Sequence, residues 1–474
     1  MPCGGQFFRD ILIMYAEIEQ GEHKMKRFIE KTTVFILILT FALTSVTSAA
    51  FAAEGPAVTG DAAIIYCETT KEVIWEMNAD EDRNPASMTK LLTCLLAIEN
   101  LDLDQVVEVT QEATECIPTK MWLQVGEKIT VRDLLHAALL QSANDAAMAL
   151  GIATAGSIED FAKMMNERAA KIGCKNTYFV NPSGLYGEGQ HSCARDIALI
   201  SIEAFNNKTL KKIAGTLEYT IEATNKYPER KLENGNKLLA GGEVELYTGN
   251  ITVKKYDGVF GGKTGTTEEA VATMTVGFQY EGLELYHVIM GTTMEERYPD
   301  MRKLLNYTKE NVTPYLAVKK GDLFEETSLT YGATNRIAGY ANADGYINLP
   351  EGASPSLVTL KAVYQEDLRA PITEGDKIGK VEIYLADEKI REISLRAAET
   401  IEEGWFLSKY GITNRQTIII CSAAGAVLLL IIVILIIRAV NKKKRERRRR
   451  ERIMEAARRE LEREESMKQR GWPY

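Results

Sequence analysis

The hydrophobic pattern changes along the chain, and the change separates two folded units. Between residues 54 and 300, short apolar runs with strand character alternate with longer segments whose apolar residues recur at helical spacing. The strand-like runs are 62–66, 271–278 and 285–290, and the helical segments include 90–99, 131–149 and 158–171. This mixture predicts a sheet covered by helices.

The pattern becomes shorter and more β-prone after the helical region. From about residue 314 to residue 405, apolar runs are separated by Gly, Pro and Asp. The clearest runs are 356–364, 380–385 and 390–394. Because 474 residues are enough for two or more domains, we expect a first domain over 54–305 and a smaller β-rich domain over 314–405.

A long apolar run lies near the C-terminus. Residues 417–437 contain no charged side chain. At about 1.5 Å per residue these 21 residues would form a helix about 31 Å long, the thickness of the hydrocarbon core of a bilayer. We therefore predict a transmembrane helix over 417–437.

The formal charge of −9 is unevenly distributed. Residues 438–474 carry 15 Lys and Arg against 7 Asp and Glu, a net charge of +8, whereas residues 1–437 carry 42 against 59, a net charge of −17. The acidic bulk argues against nucleic-acid binding. The basic tail predicts that residues 438–474 stay in the cytoplasm. We expect 446–469 to be a charged helix that anchors to anionic lipids, with partner binding as the alternative.

The N-terminal region has the three parts of a secretory signal. Basic residues over 24–31 precede an apolar stretch over 34–43, and small residues follow. We expect cleavage after Ala52 or Ala53, with Met25 as the true start. A retained N-terminal anchor is the alternative. Together with the basic tail, the signal predicts a single-pass membrane protein whose residues 54–416 face outward.

The seven cysteines show no pairing signature. Cys3 lies before the predicted cleavage site and Cys421 lies inside the apolar run. An exported protein could oxidise some of the others, but buried free thiols are at least as consistent with the pattern. These others are Cys67, Cys94, Cys116, Cys174 and Cys193.

The first candidate for chemistry is Ser87, followed three residues later by Lys90. Asn84 is a good N-cap and Pro85 suits the first helical position, so Ser87 falls in the first turn, where backbone N–H groups have no helical acceptor. Lys90 lies on the same face one turn later. It can serve as the base for Ser87 only if its pKa falls from the usual value of about 10.4.

This spacing alone is weak, because Ser-x-x-Lys arises about twice by chance in such a chain. A capped helix with a surface lysine would then be the better interpretation. Two further patterns change that judgement. Ser142-Ala143-Asn144 ends an apolar helical pattern, and Lys263-Thr264-Gly265 stands at the start of a predicted strand. Each pattern occurs once, in the order found in serine penicillin-binding proteins and β-lactamases.

Over roughly residues 56–405 the chain resembles the low-molecular-mass penicillin-binding proteins, which are serine-type D-alanyl-D-alanine carboxypeptidases. Further motifs that carry the resemblance are 131–135, 142–147, 176–177, 181–185 and 194–196, while 370–381 resembles the small β domain of the family. The resemblance implies an α/β (α+β) serine β-lactamase/transpeptidase-like fold. It also implies substrates that are peptidoglycan stem peptides ending in D-Ala-D-Ala, β-lactams as covalent inhibitors, and no cofactor or metal.

The resemblance also implies roles for the three motifs. Ser87 would form the acyl-enzyme and Lys90 would take and return its proton. Ser142 would relay protons to the leaving amine. Asn144 would hold the acyl amide and the Lys90 ammonium.

The other residues implied by the resemblance would bind the substrate and its charge. Lys263 would keep a positive charge near the terminal carboxylate, to which Thr264, next to Gly265, would donate a hydrogen bond. Backbone N–H groups of Ser87 and Thr266 would form the oxyanion hole. Arg297 stands where the family often has an arginine that supports the carboxylate, and a solvated surface arginine is an equal alternative.

One departure from the family pattern follows the third motif. Where an Ala-Gly pair is usual after Thr267, this chain has Glu268-Glu269. The extra acids near the cleft could alter substrate preference.

Other functions remain as alternatives at this point. A class A β-lactamase needs a glutamate-bearing loop, but 176–185 has no acid, and Glu167 is better read as part of a helix surface. A zinc peptidase is disfavoured because His136, His191 and His287 have no metal-ligand spacing. A D,D-endopeptidase and a penicillin or peptidoglycan sensor without turnover stay open.

Overall fold

The computed structural model describes residues 55–350, 352–469 and 471. The predicted secretory signal, its cleavage site and Cys3 lie outside these described residues.

The first part of the chain folds as a sheet with helices on both faces. Its strands are β1 (Ala62–Cys67), β2 (Glu72–Met77), β3 (Val106–Glu108), β4 (Lys128–Thr130), β5 (Glu218–Ile221), β6 (Arg230–Glu233), β7 (Gly242–Val244), β8 (Ile251–Val253), β9 (Val259–Gly265), β10 (Ala272–Tyr280) and β11 (Leu283–Thr292). Its helices are α1 (Lys90–Asn100), α2 (Gln111–Thr114), α3 (Val131–Leu140), α4 (Asn144–Ala155), α5 (Ile158–Ile172), α6 (Ala194–Asn206), α7 (Lys208–Ala214), α8 (Lys237–Ala240) and α9 (Arg297–Asn311).

The central sheet has five strands in the order β2-β1-β11-β10-β9, and neighbouring strands are antiparallel. Successive residues of β1 face opposite sides, so that Ile64 packs into the core beneath most of the helices while Ile65 packs into the core under α9. The predicted helix-covered sheet is therefore confirmed.

The predicted helix over 131–149 is wrong in one respect. It is two helices, α3 and α4, separated by Gln141, Ser142 and Ala143. Ser142 has a left-handed backbone, with φ of 61°, and a helix cannot continue through that conformation. The apolar periodicity continues across the break because both helices pack on the same core.

The second part of the chain is a small β domain, formed by β12 (Pro314–Val318), β13 (Thr327–Ser328), β14 (Arg336–Ile337), β15 (Gly339–Ala341), β16 (Gly345–Asn348), β17 (Val358–Tyr364), β18 (Lys377–Leu385) and β19 (Glu388–Ala397). Its largest sheet has the order β15-β19-β18-β17. Val381, Ile383 and Leu395 are central members of a hydrophobic core of its own. The predicted β-rich character is confirmed.

A final helix, α10, runs from Asn414 to Gln469. It contains the predicted span 417–437, and its apolar window has a mean hydropathy of 3.2. By length and composition it is a candidate membrane anchor. The predicted charged helix 446–469 continues the same helix without a break.

The cysteines within the described residues are free thiols, as the lack of a pairing signature allowed. Cys67, Cys94, Cys116 and Cys193 are buried, and Cys174 is half-buried. Burial raises the pKa of the Cys94 thiol to about 12.

Candidate active site

Ser87 lies in a tight turn that leads directly into α1. Ala86–Thr89 form a 3-10 turn, and Asn84 Oδ1 accepts a hydrogen bond from the backbone N–H of Ala86 at 2.8 Å. The sequence predicted a first α-helical turn at this place. The turn is 3-10 because Ala86 has a φ of 46°, which is outside the helical region.

Lys90 is the first residue of α1 and is completely buried. Its Nζ lies 2.8 Å from Ser87 Oγ, 2.7 Å from Asn144 Oδ1 and 2.6 Å from the carbonyl oxygen of Ser183. Burial, and then the charge of Lys263, hold the pKa of Lys90 well below its usual value.

The three contacts of Lys90 fit a neutral amine. Asn144 Oδ1 and the Ser183 carbonyl can only accept hydrogen bonds, so they take the two N–H groups that a neutral amine has. The remaining lone pair of Lys90 Nζ then faces Ser87 Oγ and can accept the hydroxyl proton. Asn144 is oriented with its oxygen toward Lys90 because its Nδ2 donates to the carbonyl of Ile117 at 3.0 Å.

Ser142 brings a second hydroxyl into the cluster. Its left-handed backbone lies in the break between α3 and α4, and strained positions of this kind concentrate at functional sites. The Oγ of Ser142 accepts a hydrogen bond from Lys263 Nζ at 2.9 Å. The backbone N–H of Asn144, two residues on, donates to the carbonyl of Thr119 at 2.8 Å.

Lys263-Thr264-Gly265 lies at the end of β9, whereas the sequence predicted the start of a strand. The strand begins earlier, at Val259, so that Gly261 and Gly262 lie inside it. Glycine is needed at position 262, because a side chain there would come within 2.3 Å of the Thr275 carbonyl. A side chain on Gly265 would likewise come within 3.0 Å of Ser87 N. The end of β9 therefore lies against the turn that carries Ser87.

Lys263 and Arg297 are two further basic side chains in the site. Both are buried, and burial together with the charge of Arg297 lowers the pKa of Lys263 to about 7. Arg297 begins α9, and its Nη1 donates to Thr266 Oγ1 at 3.1 Å and to the Gly265 carbonyl at 3.4 Å. The structure thus places Arg297 beside the third motif, which excludes the alternative of a solvated surface arginine.

Sequence reasoning missed several backbone groups of the site. The carbonyls of Ser183, Ile117 and Thr119 hold Lys90 and Asn144, but carbonyl groups carry no residue-type signal. Gly184 offered such a signal. Its φ is +80°, and a side chain there would come within 1.9 Å of the Ala86 carbonyl, so only glycine lets this loop approach the Ser87 turn.

Asp145 is a further residue without a predicted role. It is fully buried, and its carboxylate accepts the backbone N–H groups of Met121 and Leu123 at 3.1 and 3.0 Å. These bonds fix the loop that contains Ile117 and Thr119. Asp145 therefore supports the position of Asn144 indirectly.

The site combines a hydroxyl, a neutral amine that can take its proton, and a second hydroxyl beside two cations. These are the parts of a covalent acyl-transfer site that acts without histidine. The fold and the site together are those of the active-site serine enzymes, with a buried lysine amine 2.8 Å from the serine hydroxyl.

Comparisons with known proteins agree with this class. Residues 49–294 match the peptidase S11 family, described as D-alanyl-D-alanine carboxypeptidase, and residues 313–403 match the C-terminal domain of penicillin-binding protein 5. The chain belongs to the peptidase S11 D-alanyl-D-alanine carboxypeptidase family.

The relatives match most of the chain. It is 28% identical over 397 residues to the D-alanyl-D-alanine carboxypeptidase DacF of Bacillus subtilis, covering 81% of this chain and 97% of that protein. It is 29% identical over 381 residues to DacC of Escherichia coli, covering 76% and 90%. The crystal structure of penicillin binding protein 5 from Haemophilus influenzae matches with a TM-score of 0.59 at 26% identity, covering 74% of this chain and all of that one.

Proposed function

We propose that this protein is a serine-type D-Ala-D-Ala carboxypeptidase that removes the terminal D-alanine from peptidoglycan stem peptides and is inhibited by penicillin. The family and the names of the relatives support the reaction. The observation that carries the proposal is the buried Lys90 amine, whose Nζ lies 2.8 Å from Ser87 Oγ and also contacts Asn144 Oδ1 and the Ser183 carbonyl.

The reaction begins with acylation. Ser87 Oγ attacks the carbonyl carbon between the two D-alanines, and its proton passes to Lys90 Nζ. Backbone N–H groups of Ser87 and Thr266 stabilise the negative oxygen of the tetrahedral intermediate. The C–N bond then breaks as Ser142 passes a proton to the nitrogen of the departing D-alanine. Ser142 is reprotonated by the proton that Lys90 took from Ser87, so Lys90 is a neutral amine again.

Deacylation returns the enzyme to its starting state. A water molecule loses a proton to Lys90 and attacks the ester carbon. The ester bond to Ser87 Oγ breaks and the oxygen regains its proton. Asn144 holds the acyl amide in both steps, while Lys263, Thr264 and Arg297 bind the terminal carboxylate of the substrate until the D-alanine that carries it leaves.

The test is D-alanine release from a pentapeptide ending in D-Ala-D-Ala by the full chain in detergent, with and without penicillin. Release that penicillin blocks is the expected result. The Ser87→Ala variant should lose both penicillin labelling and release, because the nucleophile is absent, and cleavage retained in that variant would sink the assignment. Ser157→Ala, which removes a hydroxyl at the start of α5, is the matched control and should keep both.

Penicillin labelling of Ser87 without release of D-alanine would favour one of the two alternative functions. It would favour the endopeptidase, which requires cross-linked substrate, or the sensor without turnover. Release from a cross-linked dimer then separates these two functions.

We infer in addition a single-pass arrangement in the bacterial cell membrane. Residues 417–437 span the bilayer, 54–416 face outward as a catalytic domain (54–305) and a small β domain (314–405), and 438–474 lie in the cytoplasm. The apolar window of α10 and the basic residues that follow it support this topology. Protease added to intact cells should spare an epitope at the C-terminus, and its removal from intact cells would contradict the topology.

A further inference from the structure

Three exposed aromatic side chains lie just before α10. Trp405, Phe406 and Tyr410 are 51%, 68% and 70% exposed. We call these three residues the aromatic collar. Clustered exposed apolar surface of this kind marks a place where a protein contacts a partner or a membrane.

The collar is fixed to the beginning of the helix. The backbone N–H of Trp405 donates to Asn414 Oδ1 at 2.8 Å. Thr413 and Gln416 form a reciprocal cap, in which Thr413 N donates to Gln416 Oε1 at 2.9 Å and Gln416 N donates to Thr413 Oγ1 at 3.1 Å. The helix therefore starts at a defined residue, and the collar keeps a defined distance from it.

The same segment is hydrogen-bonded to the small β domain. Gly404 N donates to the Tyr331 carbonyl at 2.7 Å, and Tyr331 N donates to the Ser408 carbonyl at 2.9 Å. Asn414 N donates to the Ala333 carbonyl at 3.0 Å. The collar, the helix start and this edge of the β domain are thus one connected piece of structure.

The distance along the helix sets the depth of the collar. Asn414 begins α10 and the predicted span begins at Thr417, three residues later, which is about 4.5 Å at about 1.5 Å per residue. The headgroup region on each side of the hydrocarbon core is about 5–8 Å thick. On the proposed topology, the start of α10 therefore lies within the headgroup region, and Trp405, whose backbone N–H donates to Asn414 Oδ1, lies beside it. Trp and Tyr are enriched at this level in membrane proteins.

The charges around the collar are mixed. Lys409, whose Nζ is 4.8 Å from the centre of the Tyr410 ring, and Arg415 are positive, while Glu402 and Glu403 are negative and exposed. This near balance gives little attraction to an anionic surface. We therefore expect this surface to bind the headgroup region through its aromatic side chains rather than through charge.

We propose that the aromatic collar inserts into the headgroup region of the outer leaflet and holds the small β domain against the membrane. This inference rests on the proposed membrane topology. The β domain in turn contacts the catalytic domain, where Tyr346 of β16 packs against Gly282 at the β10–β11 turn. Within the β domain, Arg391 Nη1 holds Tyr346 by donating to its carbonyl at 2.9 Å. The collar therefore sets the height and tilt of the catalytic domain above the bilayer.

The first experiment reads the depth of Trp405 in the full chain. Trp75, Trp122 and Trp472 are replaced by Phe, and the protein is reconstituted in phosphatidylcholine vesicles that carry bromine either near the glycerol backbone or near the end of the acyl chains. Trp405 should lose most of its emission with the shallow bromines and little with the deep ones. The loss should persist in high salt.

The matched control keeps Trp122 as the single tryptophan. Trp122 is 61% exposed, but it lies in the catalytic domain, so neither lipid should quench it. Equal emission of Trp405 and Trp122 in all vesicles would overturn the collar. Release of the chain from vesicles by alkaline carbonate would overturn the membrane topology and the collar together, whereas penicillin labelling reports on Ser87 alone.

The second experiment tests the consequence for the catalytic domain. Trp405, Phe406 and Tyr410 are changed together to Ala in the full chain, and a fluorescent penicillin on Ser87 transfers energy to a dye at the membrane surface. The triple variant should show a broader distribution of transfer efficiencies than the parent. Tyr247→Ala, which removes a fully exposed aromatic ring of the catalytic domain, should not. An unchanged distribution in the triple variant would refute the role in orientation.

Discussion

The active-site cluster and the pair formed by Arg230 and Glu127 both bury basic side chains. Only Arg230 has a carboxylate, that of Glu127, as its direct partner. Arg230 Nη1 and Nη2 donate to the two carboxylate oxygens of Glu127 at 2.7 and 3.0 Å, and both side chains are almost inaccessible. Lys90 and Lys263, in contrast, contact hydroxyl, amide and carbonyl oxygens that carry no charge.

The difference shows in the pKa values. Although burial works in the opposite direction, hydrogen bonds from Arg230 lower the pKa of Glu127, so this pair stays ionised. Burial without an anion lowers the pKa of Lys90 and of Lys263. The same domain thus buries one cation with a carboxylate partner, which keeps it charged, and two lysines without such a partner, whose pKa values fall.

Replacing Lys90 tests the reactive half of this comparison. Lys90→Met should slow acylation by penicillin about 10²–10⁴-fold, the usual contribution of a general base. The free energy of unfolding should change little, because the folded protein no longer has to deprotonate a buried lysine, while Asn144 Oδ1 and the Ser183 carbonyl lose their donor. Stopped-flow labelling and urea unfolding measure the two effects, and a large loss of stability without a loss of acylation rate would contradict the comparison.

Breaking the ion pair tests the structural half. Arg230→Met should cost about 3–5 kcal/mol in the free energy of unfolding, because it leaves the Glu127 carboxylate buried without a partner. It also removes the hydrogen bond from Arg230 Nε to the Met121 carbonyl. Urea unfolding measures the loss.

An exposed ion pair provides the control for this variant. Arg132 Nη2 lies 2.8 Å from Asp104 Oδ1, and both side chains are exposed. Arg132→Met should therefore change stability by less than about 1 kcal/mol. Similar losses in the two variants would show that burial does not distinguish the pairs.

The pH dependence of the free energy of unfolding gives a smaller effect that also tests the comparison between paired and unpaired basic side chains. The pKa of Lys263 is about 7 in the folded protein and 10.5 ordinarily, so between these values the unfolded chain binds a proton that the folded protein lacks. Stability should therefore rise with pH in this window, by at most about 1.4 kcal/mol per pH unit from one group. Subtracting the unfolding curve of Lys263→Met from that of the parent isolates the contribution, and a difference that falls as pH rises would refute the lowered pKa.

The sequence predicted the parts of the site better than their arrangement. Ser87, Lys90, Ser142, Asn144 and Lys263 were found because their chemistry depends on side chains at short fixed spacings. The helix-covered sheet was predicted from apolar periodicity, because each helix or strand that packs on a core places apolar residues on the side facing that core.

What the sequence could not supply are contacts between distant segments. Lys90 meets the carbonyl of Ser183, and Arg230 meets Glu127, more than ninety residues away in each case. Ser142-Ala143-Asn144 was predicted to end an apolar helical pattern, but the single helix predicted over 131–149 hid the second helix that starts at Asn144, since apolar residues on both sides obey one helical period. Such features follow from how elements pack, which a single sequence does not encode locally.

The unpaired lysines also have an evolutionary consequence. Because folding has to deprotonate Lys90 and Lys263, whose pKa values burial lowers, these residues cost folding free energy near neutral pH, and selection for stability alone would not favour them. Their presence lowers the free energy of unfolding, so the domain tolerates fewer destabilising substitutions elsewhere. Lineages that keep cutting peptides are therefore expected to accumulate compensating stabilising changes outside the site, whereas lineages released from that task drift toward sturdier, inactive proteins.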